Sequence, residues 1–162
     1  MKHARTLAVM LAAAATLSYA TAQEKSDDTP LNTPARYLFP DDYMADPSAH
    51  VFEGKLYIYP SHDWESGVTD PTDGNHFNMR DYHVFSTKDP EKGKVTDHGV
   101  VLSLEEIPWA GRQLWACDVA EKDGNYYMYF PANDKNDIFP LGLACAANPS
   151  RPLQPPPPPP LR

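Results

Sequence analysis

The stretch that decides the fold is DPSAHVFEGKLYIYPSHD, residues 46–63, because a second copy, DVAEKDGNYYMYFPAND, follows at residues 118–134. Aligned on Gly54 and Gly124, both copies contain an opening aspartate, a run of aromatic residues and a Pro-x-x-Asp ending. The copies are separated by 70 to 72 residues. Self-similarity at a fixed interval predicts a repeated supersecondary unit.

Each copy has the pattern of a β-hairpin. LYIY and YYMYF consist of large apolar and aromatic residues, either in alternation or in an unbroken run. These are the patterns of half-buried and fully buried strands. FEGK and KDGN place glycine where a hairpin turn needs a positive φ. Helical 3.6-residue spacing is missing from the sequence after residue 34, so we predict an all-β fold. The predicted strands are residues 49–52, 56–60, 83–86, 100–102, 126–130 and 141–146.

About 70 residues with four strands is the size of a large β-propeller blade. We predict a partial propeller at residues 36–148, with one blade at about 43–104 and a second from near Trp115 to about 152. Shared strand chemistry in a β-sandwich is the alternative. Because blades bury their faces against neighbouring blades, we expect the aromatic residues of the repeat to pack between blades. These residues are Tyr57, Tyr59, Tyr127 and Tyr129.

The first 22 residues have the order of a secretory signal peptide. Lys2 and Arg5 form a charged start, residues 7–19 form a short apolar run, and residues 20–22, Ala-Thr-Ala, form a small-residue cleavage site. Such a run is too short to span a membrane as a mature helix. We therefore expect a mature chain that begins near Gln23 and works in the periplasm or outside the cell.

The composition is acidic, with 14 Lys and Arg against 22 Asp and Glu and a net charge of −8. The balance becomes −10 when Lys2 and Arg5 leave with the signal peptide. An acidic surface argues against nucleic acid and anionic membrane as partners. It does not exclude sugars, which carry no charge. The oligomeric state is not predicted by these features.

The two cysteines are predicted to be buried thiols. Cys117 lies at the first strand of its repeat and Cys145 at the third, and strands two apart are separated by about twice 4.8 Å. A disulfide tolerates only about 7 Å between its Cα atoms. Although an exported chain can form disulfides, this spacing predicts that the two thiols stay free.

Irregular segments flank the predicted domain. A polar leader occupies residues 23–35, and RPLQPPPPPPLR, residues 151–162, follows the last strand. We expect the tail, residues 149–162, to be irregular or polyproline II, because six consecutive prolines lack the N–H groups that a sheet ladder needs.

Four motifs in order resemble the opening two blades of glycoside hydrolase family 43. They are MADPSAHVFEGKLYIYPSHD at residues 44–63, YHVFSTKD at 82–89, TDHGVVL at 96–102 and LWACDVAEKDGNYYMYFPA at 114–132. The resemblance implies a five-bladed β-propeller that acts as an α-L-arabinofuranosidase or β-xylosidase on arabinose- or xylose-containing hemicellulose, with inversion. It implies no cofactor for the chemistry, although some members of the family hold a structural calcium.

The resemblance carries two catalytic roles to this sequence. Asp46 matches the general base that deprotonates the attacking water, and Asp118 matches the acid that raises the pKa of the proton donor and orients it. The family's donor is a glutamate of the third blade, which has no counterpart here. Glu105 and Glu106 do not match it, and we expect them to be solvated in a link between blades. Without the donor, we expect the chain to be weakly active or inactive.

Four further residues are candidate substrate contacts, each with a structural alternative. His62 and Asp63 follow a repeat strand, where they either border the sugar or form a hydrogen-bonded turn pair. Trp109 and Trp115 offer flat faces that either stack on a sugar or pack in the core.

No metal site is predicted. TDPTDGNHFNMRD, residues 69–81, contains Asp70, Asp73, Asn75 and His76, but it lacks the regular spacing and the distant glutamate of an EF-hand loop. We interpret it as a long surface loop, with metal binding as a minor alternative.

Two rival interpretations remain open at this point. One is a non-catalytic carbohydrate-binding remnant that keeps part of the sugar site. The other is a chain without a stable fold, because two blades leave open flanks and should melt without cooperativity.

Overall fold

The structure is a computed structural model that describes residues 36–39, 42–68, 76–150 and 153–154. All of them belong to one compact unit, Ala35–Arg162. The predicted signal peptide and polar leader, residues 69–75 of the predicted loop at 69–81 and the six consecutive prolines lie outside the described residues. Among the residues that the structure describes, no helix has the length and apolar character of a membrane span.

The first sheet is a four-stranded antiparallel meander in the order β1-β2-β3-β4. The alternating residues of the first repeat build its first hairpin, as predicted from LYIY. The strands are β1 (Met44–Phe52), β2 (Lys55–Asp63), β3 (Met79–Thr87) and β4 (Thr96–Ser103).

A single 3₁₀ turn, Leu104–Glu106, leads to the second sheet. In that sheet β7 is central: β8 pairs with one of its edges, while β5 and then β6 pair with successive parts of the other. The two short strands are therefore two halves of one edge, broken at residues 115–117. The strands are β5 (Ala110–Leu114), β6 (Asp118–Lys122), β7 (Asn125–Asp134) and β8 (Leu141–Ala146).

The hairpin turns of the two repeats have the same geometry. Glu53 and Gly54 both have positive φ, 52° and 73°, between β1 and β2. Asp123 and Gly124, with φ of 53° and 75°, do the same between β6 and β7. Two positive-φ residues in a two-residue loop define a type I′ turn, whose twist matches that of the strands it joins. The all-β prediction and the predicted glycine turns are confirmed.

The core lies between the two sheets. Tyr59 on β2 and Tyr82 on β3 belong to one cluster with Met128 and Phe130 of β7. Tyr57 and Tyr59 are buried, as the blade-packing prediction requires, but Tyr129 is 40% exposed and does not pack between the sheets. Its side chain points to the opposite face from buried Met128 and Phe130, and Tyr127 lies on the same outer face, outside the core cluster.

Both cysteines are free thiols, on either side of β7 as expected. Cys117 is buried, but the prediction is wrong for Cys145, which is exposed. The apolar run GLACAA alternates as one strand, so only one of its faces meets the core, where Ala144 is buried.

The tail differs from the prediction at Leu153 and Gln154. Gln154 forms an antiparallel bridge with Cys145. The backbone N–H of Leu153 donates to the carbonyl of Val101 at 2.7 Å, and the Leu153 side chain is buried. These two residues are not prolines, so they keep the N–H groups that the adjoining prolines lack.

Candidate active site

Asp46 lies at a break in the edge strand of the first sheet. Ala45 pairs with Ser61 and Ser48 with Tyr59, so Asp46 and Pro47 form a bulge between the two pairs. The second sheet breaks its edge at the same level, where Leu114 pairs with Ala132 and Asp118 with Tyr129. Bulges of this kind re-aim side chains and are common next to active sites.

The backbone of Asp46 is strained. Its φ is +48°, and its side chain is exposed. A left-handed conformation costs an L-residue roughly 1–2 kcal/mol, and the following proline further disfavours helical backbone angles. The conformation is not required for a turn, since β1 continues beyond it. Strain of this type at an exposed carboxylate is typical of functional positions.

Asp118 is anchored to the first sheet. Its Oδ1 lies 2.6 Å from Nε2 of His50 on β1, and it also accepts the backbone N–H of Val119 at 2.9 Å. The Asp118 side chain remains 71% exposed while the His50 side chain is 32% exposed. Since His50 is four residues beyond Asp46 on β1, extended chain separates their Cα atoms by at most about 13 Å. Both candidate carboxylates are therefore tied to the same edge strand.

The two aspartates are not at equivalent positions of the repeat. Asp118 pairs with Tyr129 as Ser48 pairs with Tyr59, and Tyr59 and Tyr129 are equivalent when Gly54 and Gly124 are superimposed. The counterpart of Asp118 is therefore Ser48, two residues after Asp46. The prediction that the two carboxylates occupy equivalent positions of the repeat is therefore wrong. The sequence alignment did not reveal the bulge that contains Asp46.

His62 and Asp63 take structural partners. His62 contacts Asp42 through Nε2 at 3.1 Å and Asp81 through Nδ1 at 2.9 Å. Asp63 accepts the backbone N–H of Asn78 at 2.7 Å and so fixes one end of the loop that precedes β3. The pKa of Asp42 is lowered mainly by the hydrogen bond from the backbone N–H of Tyr43, with a further contribution from His62.

The two candidate tryptophans occupy different environments. Trp109 stacks on Phe130 with ring centroids 6.0 Å apart and planes at 8°, and it packs against the core. Trp115 lies at the break between β5 and β6, with its ring edge-on to Phe77 at 5.3 Å and to Phe139 at 6.3 Å. Its indole Nε1 is buried without a hydrogen-bond partner among the described residues. The placement favours the core role for Trp109 and puts Trp115 in the break of the edge, three residues before Asp118.

Buried neutral groups lie directly behind this edge. The thiol of Cys117 donates to the carbonyl of Tyr59 at 3.4 Å, and burial raises its pKa to about 12. Burial also raises the pKa values of the phenols of Tyr59 and Tyr82. The Tyr59 hydroxyl donates to the carbonyl of Pro149 at 2.9 Å, and that of Tyr82 to the carbonyl of Trp115. These groups remain uncharged near neutral pH and hold the edge in place.

Glu105 and Glu106 are solvated, as predicted. Both are exposed in the 3₁₀ turn between the sheets. Glu105 pairs with Arg80, which lowers the pKa of its carboxyl, while Glu106 accepts the backbone N–H of Ser103 at 2.8 Å. They cap and brace the link between the sheets.

Two residues near the site, His50 and Asp81, were not predicted from the sequence. His50 shares a strand face with Phe52, on which its ring stacks at 5.6 Å, and period-two alternation along β1 could have indicated that it faces the second sheet. Asp81 is 3% exposed within MRDYHVF, where a charged residue between buried neighbours is a signal of a paired site.

The chain is similar in sequence and in structure to xylosidases and arabinosidases. The chain is 63% identical over 125 residues to a xylosidase/arabinosidase of Bacteroides ovatus, covering 77% of this chain and 38% of that protein. It superimposes on the structure of RS223 β-xylosidase with a TM-score of 0.72 and 66% identity, covering 74% of this chain and 37% of the other. No protein-family model matches the chain.

A further structural neighbour was solved with a sugar. It is a family 43 β-xylosidase/α-arabinofuranosidase from a compost microbial metagenome, in complex with xylotriose and in a calcium-free form. Its TM-score is 0.69 at 58% identity, over 73% of this chain and 36% of the neighbour. The chain thus spans less than two fifths of the length of these relatives. Its two antiparallel sheets are part of a β-propeller.

Proposed function

We propose that the complete domain hydrolyses O-glycosyl bonds of arabinose- or xylose-containing hemicellulose, because this chain belongs to glycoside hydrolase family 43. The chain spans 36% to 38% of the length of the three relatives compared with it. The observation that carries the proposal is Asp46, an exposed carboxylate held at φ +48° in a bulge. Oligosaccharides containing xylose are the substrates that its relatives' names and the xylotriose complex favour.

Asp46 is the general base in this proposal. Its carboxylate removes a proton from a water molecule while that water attacks the anomeric carbon in a single inverting step. An inverting pair of carboxyl groups stands roughly 6.5–9.5 Å apart to admit the water. The exposure of Asp46 at the break in β1 leaves space for the water and the sugar on its open side.

Asp118 keeps the proton donor protonated and oriented. A nearby negative charge raises the pKa of a second carboxyl group, so a glutamate donor beside Asp118 would hold its proton near neutral pH. His50 fixes the position of the Asp118 carboxylate from the strand that carries the base. Trp115, three residues before Asp118, contacts the sugar in this proposal, whereas His62 and Asp63 act by holding the surrounding loops.

The 162 residues alone are proposed to turn over little or no substrate. The donor glutamate of the family has no counterpart here, and general-acid assistance is worth about 10²–10⁴-fold in rate. A chain with a base and an orienting acid but no donor fits a second function, sugar binding without cleavage. The solvent-exposed Asp118 carboxylate favours this second function for the isolated chain.

The residues present do not fit a calcium site. Ca²⁺ takes six to eight oxygen ligands, whereas the three-residue metal-ligand group found in the described residues contains two histidines and one aspartate. Any calcium bound by the complete domain would need other ligands. The proposed chemistry uses only carboxyl groups and water.

A graft tests the proposal. Residues 36–148 would replace the matching segment of the Bacteroides ovatus relative, whose remaining length supplies the donor. We expect the chimera to release 4-nitrophenol from aryl xyloside or arabinofuranoside, while the 162-residue chain binds xylotriose with release near background. A folded chimera without activity would contradict the proposal, and turnover by the chain alone at the chimera's rate would contradict the assignment of a missing donor.

We also propose that the chain is exported. The charge, apolar run and Ala-Thr-Ala order of the first 22 residues support this. Expression in a Gram-negative host should yield a periplasmic protein whose intact mass corresponds to a start near Gln23. A cytoplasmic product that retains residues 1–22 would contradict it.

A further inference from the structure

A second cluster of chemistry-bearing side chains lies on the first sheet, away from the core. His62 is on β2, and Asp81 and His83 are on β3. Because side chains alternate along a strand, these three lie on the other face of the sheet from Tyr59 and Tyr82, which face the second sheet. The Asp81 side chain is 5% exposed, and those of His62 and His83 are 13% and 14% exposed. A nearly buried carboxylate between two imidazoles is not explained by the proposed glycosidase chemistry.

The three groups converge on one point. Asp81 Oδ1 lies 2.9 Å from His62 Nδ1 and 3.4 Å from His83 Nε2. Ligands bound tetrahedrally to Zn²⁺ at about 2.0–2.1 Å are separated from one another by about 3.3 Å. One ligand atom from each residue lies within 4.8 Å of the others. A small rotation of one imidazole therefore brings all three to bonding distance of a shared ion.

The surroundings have the arrangement that supports metal ligands. Asp42 Oδ2 lies 3.1 Å from the second nitrogen of His62, and Asp97 Oδ1 lies 3.5 Å from the second nitrogen of His83. Carboxylates behind ligating histidines fix the ring orientation and raise ligand basicity. The indole N–H of Trp64 donates to Asp81 Oδ2 at 3.0 Å, which leaves Oδ1 for the shared point.

One histidine nitrogen remains unsatisfied. His83 Nδ1 is buried without a hydrogen-bond partner, since the 3.5 Å contact with Asp97 is an ion-pair distance without hydrogen-bond geometry. A ring that rotates to bind an ion can correct this geometry. Three carboxylates, those of Asp42, Asp81 and Asp97, surround two imidazoles, so a divalent cation would offset their charge.

The position is accessible to solvent. A cavity of about 300 Å³ opens beside the cluster and is lined by Asp42, Met44, His83 and Asp97, together with residues of the segment that precedes β1. Water reaching the cluster through this cavity would supply the fourth ligand of a three-residue site.

We propose that His62 Nδ1, Asp81 Oδ1 and His83 Nε2 bind a divalent transition-metal ion of the Zn²⁺ class. Two imidazoles and one carboxylate suit Zn²⁺, Co²⁺ or Ni²⁺ and disfavour Ca²⁺ and Mg²⁺, which take oxygen ligands. The ion joins β2 to β3 and, through Asp42, to the segment before β1. This site uses none of the residues assigned to glycoside hydrolysis, and the proposal does not depend on that assignment. The cluster lies near Asp46 in the sheet, because His62 pairs with Met44, two residues before Asp46.

Metal titration of the 162-residue chain tests the proposal. Equilibrium dialysis against ZnCl₂ should give one ion per chain, and CoCl₂ should give the visible absorption of a four- or five-coordinate Co²⁺ site. Zn²⁺ should displace Co²⁺, whereas excess Ca²⁺ should not. Saturating Zn²⁺ should raise the melting temperature. Absence of stoichiometric binding by the folded wild-type chain would overturn the proposal and leave a hydrogen-bonded cluster.

Matched variants locate the ion. His62→Gln and His83→Gln should each lower the affinity for Zn²⁺ at least tenfold and remove the Co²⁺ absorption. His98→Gln is the control, because His98 contacts Ser86 at 2.8 Å and is not in the cluster. If either cluster variant fails to fold by circular dichroism, Asp81→Asn serves as the second test. Undiminished binding in the folded cluster variants, or equal loss in the control, would overturn the assignment.

Discussion

Asp46 combines an exposed carboxylate with a left-handed backbone angle inside a strand. Other non-glycine residues with positive φ include Glu53 and Asp123, which are needed in two-residue hairpin turns. Asp46 lies inside a strand, so no turn explains its conformation. His50 and Asp118 add a contact that joins the two sheet edges beside it. These residues form one part of the molecule where local preference and structure disagree, as is typical of functional sites.

The sequence predicted which carboxylates are candidates for the site but not how they are arranged. The repeat and the family resemblance identified Asp46 and Asp118. The bulge was not predictable, because a register shift leaves no period-two pattern of its own. The partner of Asp118 was missed because a pair 68 residues apart forms only when the two sheets pack.

Replacing Asp46 by glycine should not destabilise the chain. Glycine removes roughly 1–2 kcal/mol of left-handed strain while its freer unfolded chain costs about 0.4–1 kcal/mol. We expect the free energy of unfolding, measured by urea denaturation, to be unchanged or up to about 1.5 kcal/mol higher. Asp123→Gly, at φ 53° in a hairpin turn, is the matched control. A loss above about 1 kcal/mol at Asp46 alone would indicate a structural carboxylate.

The two thiols should differ sharply in reactivity. Cys145 is exposed, whereas Cys117 is buried and its pKa is raised to about 12, which suppresses the reactive thiolate. A thiol reagent at pH 8 should modify one cysteine rapidly in the native chain and the second only in denaturant. Cys145→Ser should remove the fast reaction. Equal rates for both thiols in the native state would contradict the buried position of Cys117.

At the scale of the elements, the hairpins follow from sequence and β5 does not. The Glu-Gly and Asp-Gly pairs fix type I′ turns and hence the pairing of β1 with β2 and of β6 with β7. AGRQL, the sequence of β5, has neither β-branched residues nor clear alternation. It becomes a strand because the far end of β7 offers a free edge, which is a tertiary effect.

The packing of β7 on β8 depends on a glycine. Gly142 lies opposite Phe130, and a Cβ at position 142 would stand 2.3 Å from the ring of Phe130. That ring is fully buried and backed by Trp109, so it has little room to move. We expect Gly142→Ala to lower the free energy of unfolding by about 1–3 kcal/mol.

A double-mutant cycle checks this prediction. Phe130→Leu removes part of the ring, so Gly142→Ala should cost less in that background than in the wild-type chain, as measured by urea denaturation. Equal costs of Gly142→Ala in both backgrounds would show that the loss does not come from the contact with Phe130.

At the scale of the whole molecule, one core joins the two sheets. It contains Tyr57 and Tyr59 from the first sheet and Met128 and Phe130 from the second, with Cys117 between them. The interval of the repeat predicted two sheets, and the aromatic strand of the first sheet predicted the face of that sheet that meets the second. The prediction for Tyr129 was wrong because Tyr129 lies on the outer face of its sheet, whereas its counterpart Tyr59 lies on the face of the first sheet that meets the second. A shared core also predicts one cooperative unfolding transition for the described unit.

This core should make the protein sensitive to alkaline pH. Burial raises the pKa values of Cys117, Tyr59 and Tyr82 above their ordinary values of 9.0 for the thiol and 10.0 for the phenols. The unfolded chain therefore loses these protons first. The contribution of these protonated groups to the free energy of unfolding is complete below pH 9. It declines as pH rises towards 12, by up to about 1.4 kcal/mol per pH unit for each group.

Urea denaturation at several values of pH measures this decline. The free energy of unfolding should be level between about pH 7 and 8 and fall from about pH 9. Cys117→Ala should make the slope shallower between about pH 9 and 10, because the thiol is the first of the three groups to ionise in the unfolded chain. Identical slopes in the wild-type chain and the variant would contradict the neutral buried thiol.

The most direct test of the central claim is the kcat/KM of the grafted chimera with Asp46→Asn, against Asp63→Asn as the matched aspartate. Asp63 holds the backbone of Asn78 and takes no part in the proposed chemistry. We expect kcat/KM for an aryl xyloside or arabinofuranoside to fall about 10²–10⁴-fold for Asp46→Asn, with an unchanged melting temperature, and only a few-fold for the control. A chimera that retains its full rate with asparagine at position 46 would contradict the assignment of Asp46 as the base.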